Sequence, residues 1–138
     1  MSDIKTVLDE TPFQTAGPFL HIGCLPNAIN IEGVFDNDLG VKPFANKHND
    51  KFITITGSVF DGDGKALDDI MLETWQSDEN GVYSPECGFA RFVPDSLTKK
   101  FNLYTLKPGF MNNIDGKAQS PHILISISSR GLNMTLNT

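Results

Sequence analysis

Beyond residue 50 the chain alternates between apolar and polar positions. In Phe52–Phe60 (FITITGSVF), Ile53, Ile55 and Val59 fall on one face and Thr54, Thr56 and Ser58 on the other. A period of two is the mark of a half-buried strand. Asp61–Lys65 (DGDGK) follows as a turn, with glycines where positive φ is needed. Ile70–Gln76 (IMLETWQ) reads as the next strand and Asp78–Gly81 (DENG) as the next turn. Phe101–Lys107 (FNLYTLK) is a strand closed by Pro108-Gly109. His122–Ser128 (HILISIS) is another, and Arg130-Gly131 leads into a last one at Leu132–Leu136. No stretch carries a convincing period of 3.6. Short strands separated by Gly and Asx turns predict an all-β, antiparallel sandwich or barrel with little helix.

The first fifty residues have a different texture. Glu10–Pro26 (ETPFQTAGPFLHIGCLP) is dense in Pro and Gly yet keeps apolar residues between them, which predicts an ordered, extended arm. Asn27–Asn49 is polar and reads as a long connecting loop. The expected organisation is therefore arm and loop over 1–50 and a sandwich core over 51–138, in one domain. The strand pattern runs up to Thr138 without a closing turn. The edge it leaves calls for a covering partner or for a further C-terminal part of the sandwich.

Composition narrows the partners more than the fold. The 138 residues match one domain. Eleven Lys and Arg against seventeen Asp and Glu give a net charge of −6, and the basic residues form no stripe. Nucleic acid and anionic membranes are poor partners for such a surface, and an anionic small molecule would need a local cation. No apolar run reaches the ~18 residues of a membrane span, and MSDIKTVLDE has neither the basic nor the apolar region of a signal peptide. Cys24 and Cys87 lie far apart with no CxxC or Cys/His cluster, as expected of a reduced, cytoplasmic chain rather than a disulfide-bonded one.

Candidate chemistry is thin when read from residues alone. Asp61-Gly-Asp63-Gly resembles the start of a calcium loop, but Ala66 and Leu72 stand where Gly and Glu are required, so a turn is the better reading. Asn133-Met-Thr135 is a glycosylation sequon without a secretory signal. His21 in the arm suggests a structural hydrogen bond, His48 a solvated loop residue and His122 a core or edge residue. Tyr104 reads as a sheet residue and Tyr83 as a loop anchor. No nucleophile–base arrangement follows from the spacing.

Several blocks taken in order nevertheless carry a resemblance. They are Thr11–Phe19 (TPFQTAGPF) with His21–Gly23, Gly57–Gly64 (GSVFDGDG), Leu72–Gln76 (LETWQ), Asn80–Tyr83 (NGVY), Leu106–Gly109 (LKPG), Pro121–Ile123 and Ser129–Asn133 (SRGLN). Together they resemble the intradiol ring-cleavage dioxygenases, from about Glu10 to Thr138. The likeness is nearest to the non-catalytic alpha subunits of those members that open 3,4-dihydroxybenzoate. It implies a β-sandwich and a hetero-oligomer with a homologous iron-binding beta subunit. The implied cofactor is non-haem Fe(III), held by two Tyr and two His of that partner. The implied reaction gives 3-carboxy-cis,cis-muconate from a small aromatic carboxylate and O2.

Mapped onto this chain, the family's four ligand positions read Tyr83, Met111, His122 and Leu124. A thioether and an alkyl group cannot replace phenolate and imidazole at a hard ferric ion. The resemblance therefore implies a chain without its own catalytic iron, with Tyr83 and His122 kept in structural roles. It also implies that Thr15, Gly17 and Pro18 of the arm, and Arg130, line the partner's substrate pocket. Gly17 would let backbone approach a ligand, Thr15 offers a hydroxyl, Pro18 a rigid wall, and Arg130 a guanidinium for a carboxylate. Position 19, usually Tyr in relatives, is Phe19, and the stretch Ser84–Lys100 is shorter than in relatives. The rival expectation is a stand-alone transthyretin-like β-sandwich for binding or scaffolding. A self-sufficient iron enzyme is disfavoured by Met111 and Leu124.

Overall fold

The structure, a computed structural model, describes residues 12, 14–47, 51–84, 88–112, 115–132 and 136–137. Among the described residues, a short helix α1 (Leu20–Cys24) and a 3-10 turn (Asn27–Ile29) are followed by eight strands. They are β1 (Phe52–Gly57), β2 (Ile70–Gln76), β3 (Phe89–Phe92), β4 (Phe101–Leu106), β5 (Met111–Asn112), β6 (Ala118–Gln119), β7 (Ile123–Ser129) and β8 (Leu136–Asn137). All pairings are antiparallel. β1 pairs with β4, a four-stranded sheet runs β3-β2-β7-β8, and β5-β6 form a small hairpin. The expected all-β sandwich with little helix is what the chain builds.

β2 organises the core. Ile70, Leu72, Thr74 and Gln76 alternate along it and all are buried, each apolar member being worth roughly 1.5–3 kcal/mol. The Gln76 side chain crosses to the other sheet: its Nε2 donates to the Leu106 carbonyl (2.6 Å) and its Oε1 accepts from Thr105 Oγ1 (2.9 Å). Phe92 and Phe101 pack with ring centroids 5.6 Å apart, a second tie between the sheets. The opposite face of β2 carries Glu73 and Trp75, only half-buried, and this outward face is where the candidate chemistry gathers.

Several expectations need correction. The arm is not extended throughout: Gly23 N–H donates to Phe19 O and Leu25 N–H to His21 O, making one helical turn. The His21 ring makes no hydrogen bond among the described residues, contrary to its expected structural role. The first strand ends at Gly57, leaving a bridge between Phe60 and Ala66. β3 and the β5-β6 hairpin are strands the alternation did not mark. After β7 the chain turns at Arg130-Gly131, and pairing resumes only at Leu136; residues 133–135, with the sequon, lie outside the described residues, as do His48 and Cys87. Cys24 carries a free thiol. No helix among the described residues is long and apolar enough to cross a membrane.

The loop over 27–47 is tied down at two places. The buried carboxylate of Asp38 accepts from the backbone N–H of Asn27 and Ala28 and from the Asn27 side chain. Gly40 O accepts from Arg91 N–H, so the loop covers the outer edge of β3. Leu25, just before the loop, and Phe44 within it are fully buried. At DGDGK, Asp61 Oδ1 accepts from Asp63 N–H (3.0 Å) and Lys65 N–H (2.8 Å). The carboxylate serves the turn.

Candidate functional site

The site is built on the turn after β2. Asp78, nearly buried, accepts through Oδ1 from Asn80 N–H (2.9 Å) and Val82 N–H (3.0 Å) and pairs through Oδ2 with Lys47 (3.0 Å). Lys47 also reaches Glu79. Burial pushes the Asp78 carboxyl up, but the Val82 N–H, the Lys47 ammonium and the Asn80 N–H together hold it below the ordinary aspartate range. Asp68 is lowered chiefly by its hydrogen bond to Lys99. A carboxylate with a depressed folded pKa contributes stability that is complete above its unfolded value, near 3.8, and is lost as pH falls through the folded value. Thermal melts are therefore expected to be flat from pH 7 to about pH 5 and to fall steeply below about pH 4. Asp78→Asn should weaken that acid slope; an unchanged slope would remove Asp78 from the account.

Two glycines bring the next segment against this turn. Gly81, at φ +78°, would place a Cβ 2.0 Å from Phe110 O, and Gly109 would place one 2.3 Å from Glu79 O. Only a residue without Cβ permits either approach. Gly109 N–H donates to Asp78 O at 2.7 Å, fixing the contact. Met111 thus comes to lie against the turn that carries Tyr83.

Tyr83 leaves the turn over the outward face of the four-stranded sheet. Its ring stacks on Trp75, centroids 5.7 Å apart, and its hydroxyl lies 3.2 Å from His122 Nε2. The other imidazole nitrogen, Nδ1, lies 2.8 Å from the Ser120 carbonyl. A carbonyl only accepts, so Nδ1 carries a proton, and in the neutral ring Nε2 then accepts from the phenol. Leu124 pairs in register with Trp75 and stands half-exposed on the face that His122 shares by alternation. The four sequence positions singled out above are thereby gathered in one region. Their donor chemistry does not fit a ferric ion: the two donors are bonded to each other, and a thioether and an alkyl group occupy the other places.

The other singled-out residues make no hydrogen bond or ion pair with these among the described residues. Thr15, Gly17 and Pro18 are exposed, as is Phe19 at 73%. A Cβ at Gly17 would meet nothing within 4 Å, and the Thr15 hydroxyl reaches only its neighbour's carbonyl. Arg130 Nε pairs with Asp69 at 2.6 Å while two-thirds of the side chain stays exposed. The β2-β7 register, Ile70 opposite Ser129, places residues 69 and 130 side by side. No hydrogen bond or ion pair joins the arm to Arg130 among the described residues. Sequence reasoning missed Asp69 as the partner of Arg130, Asp78 as the organiser of the Tyr83 turn, and Ser120 as the group that sets the imidazole tautomer. Only Asp78 had a visible signal, an Asx residue opening a turn that ends in Asn-Gly.

No family model matches the chain. Among curated proteins, it is 37% identical over 139 aligned positions to the protocatechuate 3,4-dioxygenase alpha chain of Pseudomonas putida, covering 96% of this chain and 69% of that one. It is 30% identical to the protein of the same name from Burkholderia cepacia, covering 92% and 66%. Among solved structures, 3-chlorocatechol 1,2-dioxygenase from Rhodococcus opacus 1CP superposes with a TM-score of 0.63 at 20% identity, over 72% of this chain. The chain spans about two thirds of the length of those two curated relatives, and the superposition takes in 47% of the solved one.

Proposed function

Since the chain belongs to the protocatechuate 3,4-dioxygenase alpha-chain family, we propose that it is a non-catalytic alpha subunit completing the substrate pocket of a homologous, iron-holding beta subunit. The assembly would cleave 3,4-dihydroxybenzoate between its hydroxyls with O2, giving 3-carboxy-cis,cis-muconate, in the cytoplasm. The observation that carries this reading is the closure of Tyr83 on His122 beside Met111 and Leu124. The chain keeps the family's frame while its own donors are unsuited to Fe(III). The iron would be the partner's.

What this chain would contribute is surface and charge. The arm through Thr15, Gly17 and Pro18 presents exposed backbone, a hydroxyl and a rigid ring, groups able to wall a pocket formed on a partner. Arg130 would supply the cation that an anionic substrate needs next to a chain of net charge −6. Asp69 holds its Nε, and the exposed end of the guanidinium is the edge that could meet a carboxylate. Arg130→Ala in the assembled complex is expected to raise KM about tenfold, about 1.4 kcal/mol, with kcat nearly kept. The double variant with Asp69→Asn separates loss of the guanidinium from exposure of an unpaired carboxylate. An unchanged kcat/KM in both would remove Arg130 from the pocket.

A further inference from the structure

A cavity of about 430 Å³ lies between the loop over 41–47 and the Phe52–Tyr104 end of the β1-β4 pair. Of its lining residues only Lys47 is tied to the Tyr83–His122 region, through its ion pairs with Asp78 and Glu79, and its volume falls within the range of small-molecule sites. One wall is aromatic. The rings of Phe52 and Tyr104 stack with centroids 4.9 Å apart and planes 18° from parallel. Tyr104 is 62% exposed, and its hydroxyl makes no hydrogen bond among the described residues. The opposite wall is held firmly. Phe44 is fully buried at φ +59°, a region bulky residues enter only when their surroundings force them. Lys47 N–H closes that turn on Phe44 O, and its ammonium is fixed by Asp78 and Glu79.

The two lysines of the cavity differ in what remains of their charge. Lys47 is matched by two carboxylates. Lys42 is exposed and has no ion pair among the described residues. The lining is otherwise Val41 and aromatic or small apolar groups. We propose that this cavity binds small planar aromatic monocarboxylates. The ring would stack on Tyr104, and the carboxylate would meet the Lys42 ammonium at the rim. A single unmatched cation in an acidic chain does not suit a polyphosphate, and the ammonium disfavours a cationic ligand. The proposal stands on this cavity alone and does not depend on the subunit reading above.

Benzoate is the probe, titrated into the full-length protein in the assembly in which it purifies. Binding is measured by calorimetry and mapped by amide chemical shifts. Benzoate is expected to shift the amides of Lys42, Phe44, Phe52 and Tyr104. Benzamide, which has the same shape without the charge, and cyclohexanecarboxylate, which has the charge without the flat ring, are expected to bind at least about tenfold more weakly. Lys42→Met should lose about tenfold in affinity, and Tyr104→Ala should abolish detectable binding. Both residues are exposed, so neither variant is expected to disturb the fold, and thermal melts check this. Absence of binding, shifts that map elsewhere, or affinities untouched by both substitutions would overturn the proposal. So would a cavity that proves to be covered by another chain in the purified assembly.

Discussion

Gln76→Ala is expected to destabilise the fold by about 3–5 kcal/mol, a large part of the roughly 5–15 kcal/mol that holds a domain of this kind together. Gln76 is 1% exposed, and Thr105 and Leu106 are fully buried. Truncation leaves the Thr105 hydroxyl without its acceptor and the Leu106 carbonyl without its side-chain donor, costing about 1–3 kcal/mol for each group stranded from water. It also opens a cavity between the two sheets. Thr105→Val, which removes one bond and keeps the volume, is expected to cost only about 1–2 kcal/mol. The double variant should cost less than the sum, since both substitutions break the same bond. Denaturant unfolding measures all three. A Gln76→Ala cost below about 1 kcal/mol would mean that the sheets are not joined through this side chain.

Met111→Tyr combined with Leu124→His is expected to turn a chain unsuited to iron into one that keeps Fe(III) through gel filtration and is coloured by tyrosinate-to-iron charge transfer. Either substitution alone should give neither property. Tyr83 and His122 already place two donors 3.2 Å apart. Residue 124 shares a sheet face with His122, and the packing of Gly81 on Phe110 and Met111 brings residue 111 to the turn that carries Tyr83. Binding would have to break the phenol–imidazole hydrogen bond, at a net cost of about 1 kcal/mol, which is small beside four metal–ligand bonds. The readouts are iron content and the visible spectrum, with circular dichroism to establish folding. A folded, colourless, iron-free double variant would show that the four positions do not converge on one point.

The strands were legible where alternation was long and uninterrupted. Residues 70–76, 101–106 and 123–129 form strands within one residue of their expected ends, while the first, at 52–57, stops three residues short of Phe60. β3 escaped because FARF is four residues long and mixes an Arg into an aromatic run. The Arg there is held by Glu73 across the sheet and lies 5.3 Å from the Phe89 ring, a tertiary pairing that no local pattern announces. The helical turn at 20–24 escaped because five residues are too few to show a period. At the site, Met111 and Leu124 could be read from the sequence as a thioether and an alkyl group where the resemblance expects Tyr and His. That the remaining two would bond to each other was not legible, because it depends on how a turn knotted by Asp78 meets the start of β7. Arg130 was legible as a cation, but Asp69 became its partner only through the register of β2 and β7.

The central claim is that this chain completes an active site whose iron belongs to another subunit. It is tested most directly by measuring iron content and 3,4-dihydroxybenzoate-dependent O2 uptake for three samples. These are this chain alone, a homologous beta chain with an intact Tyr/His set alone, and the two co-expressed. The account predicts that this chain alone is colourless and inactive, that the two co-purify, and that full turnover appears only in the complex, with iron tracking the partner. A coloured, iron-loaded and active preparation of this chain by itself would contradict it.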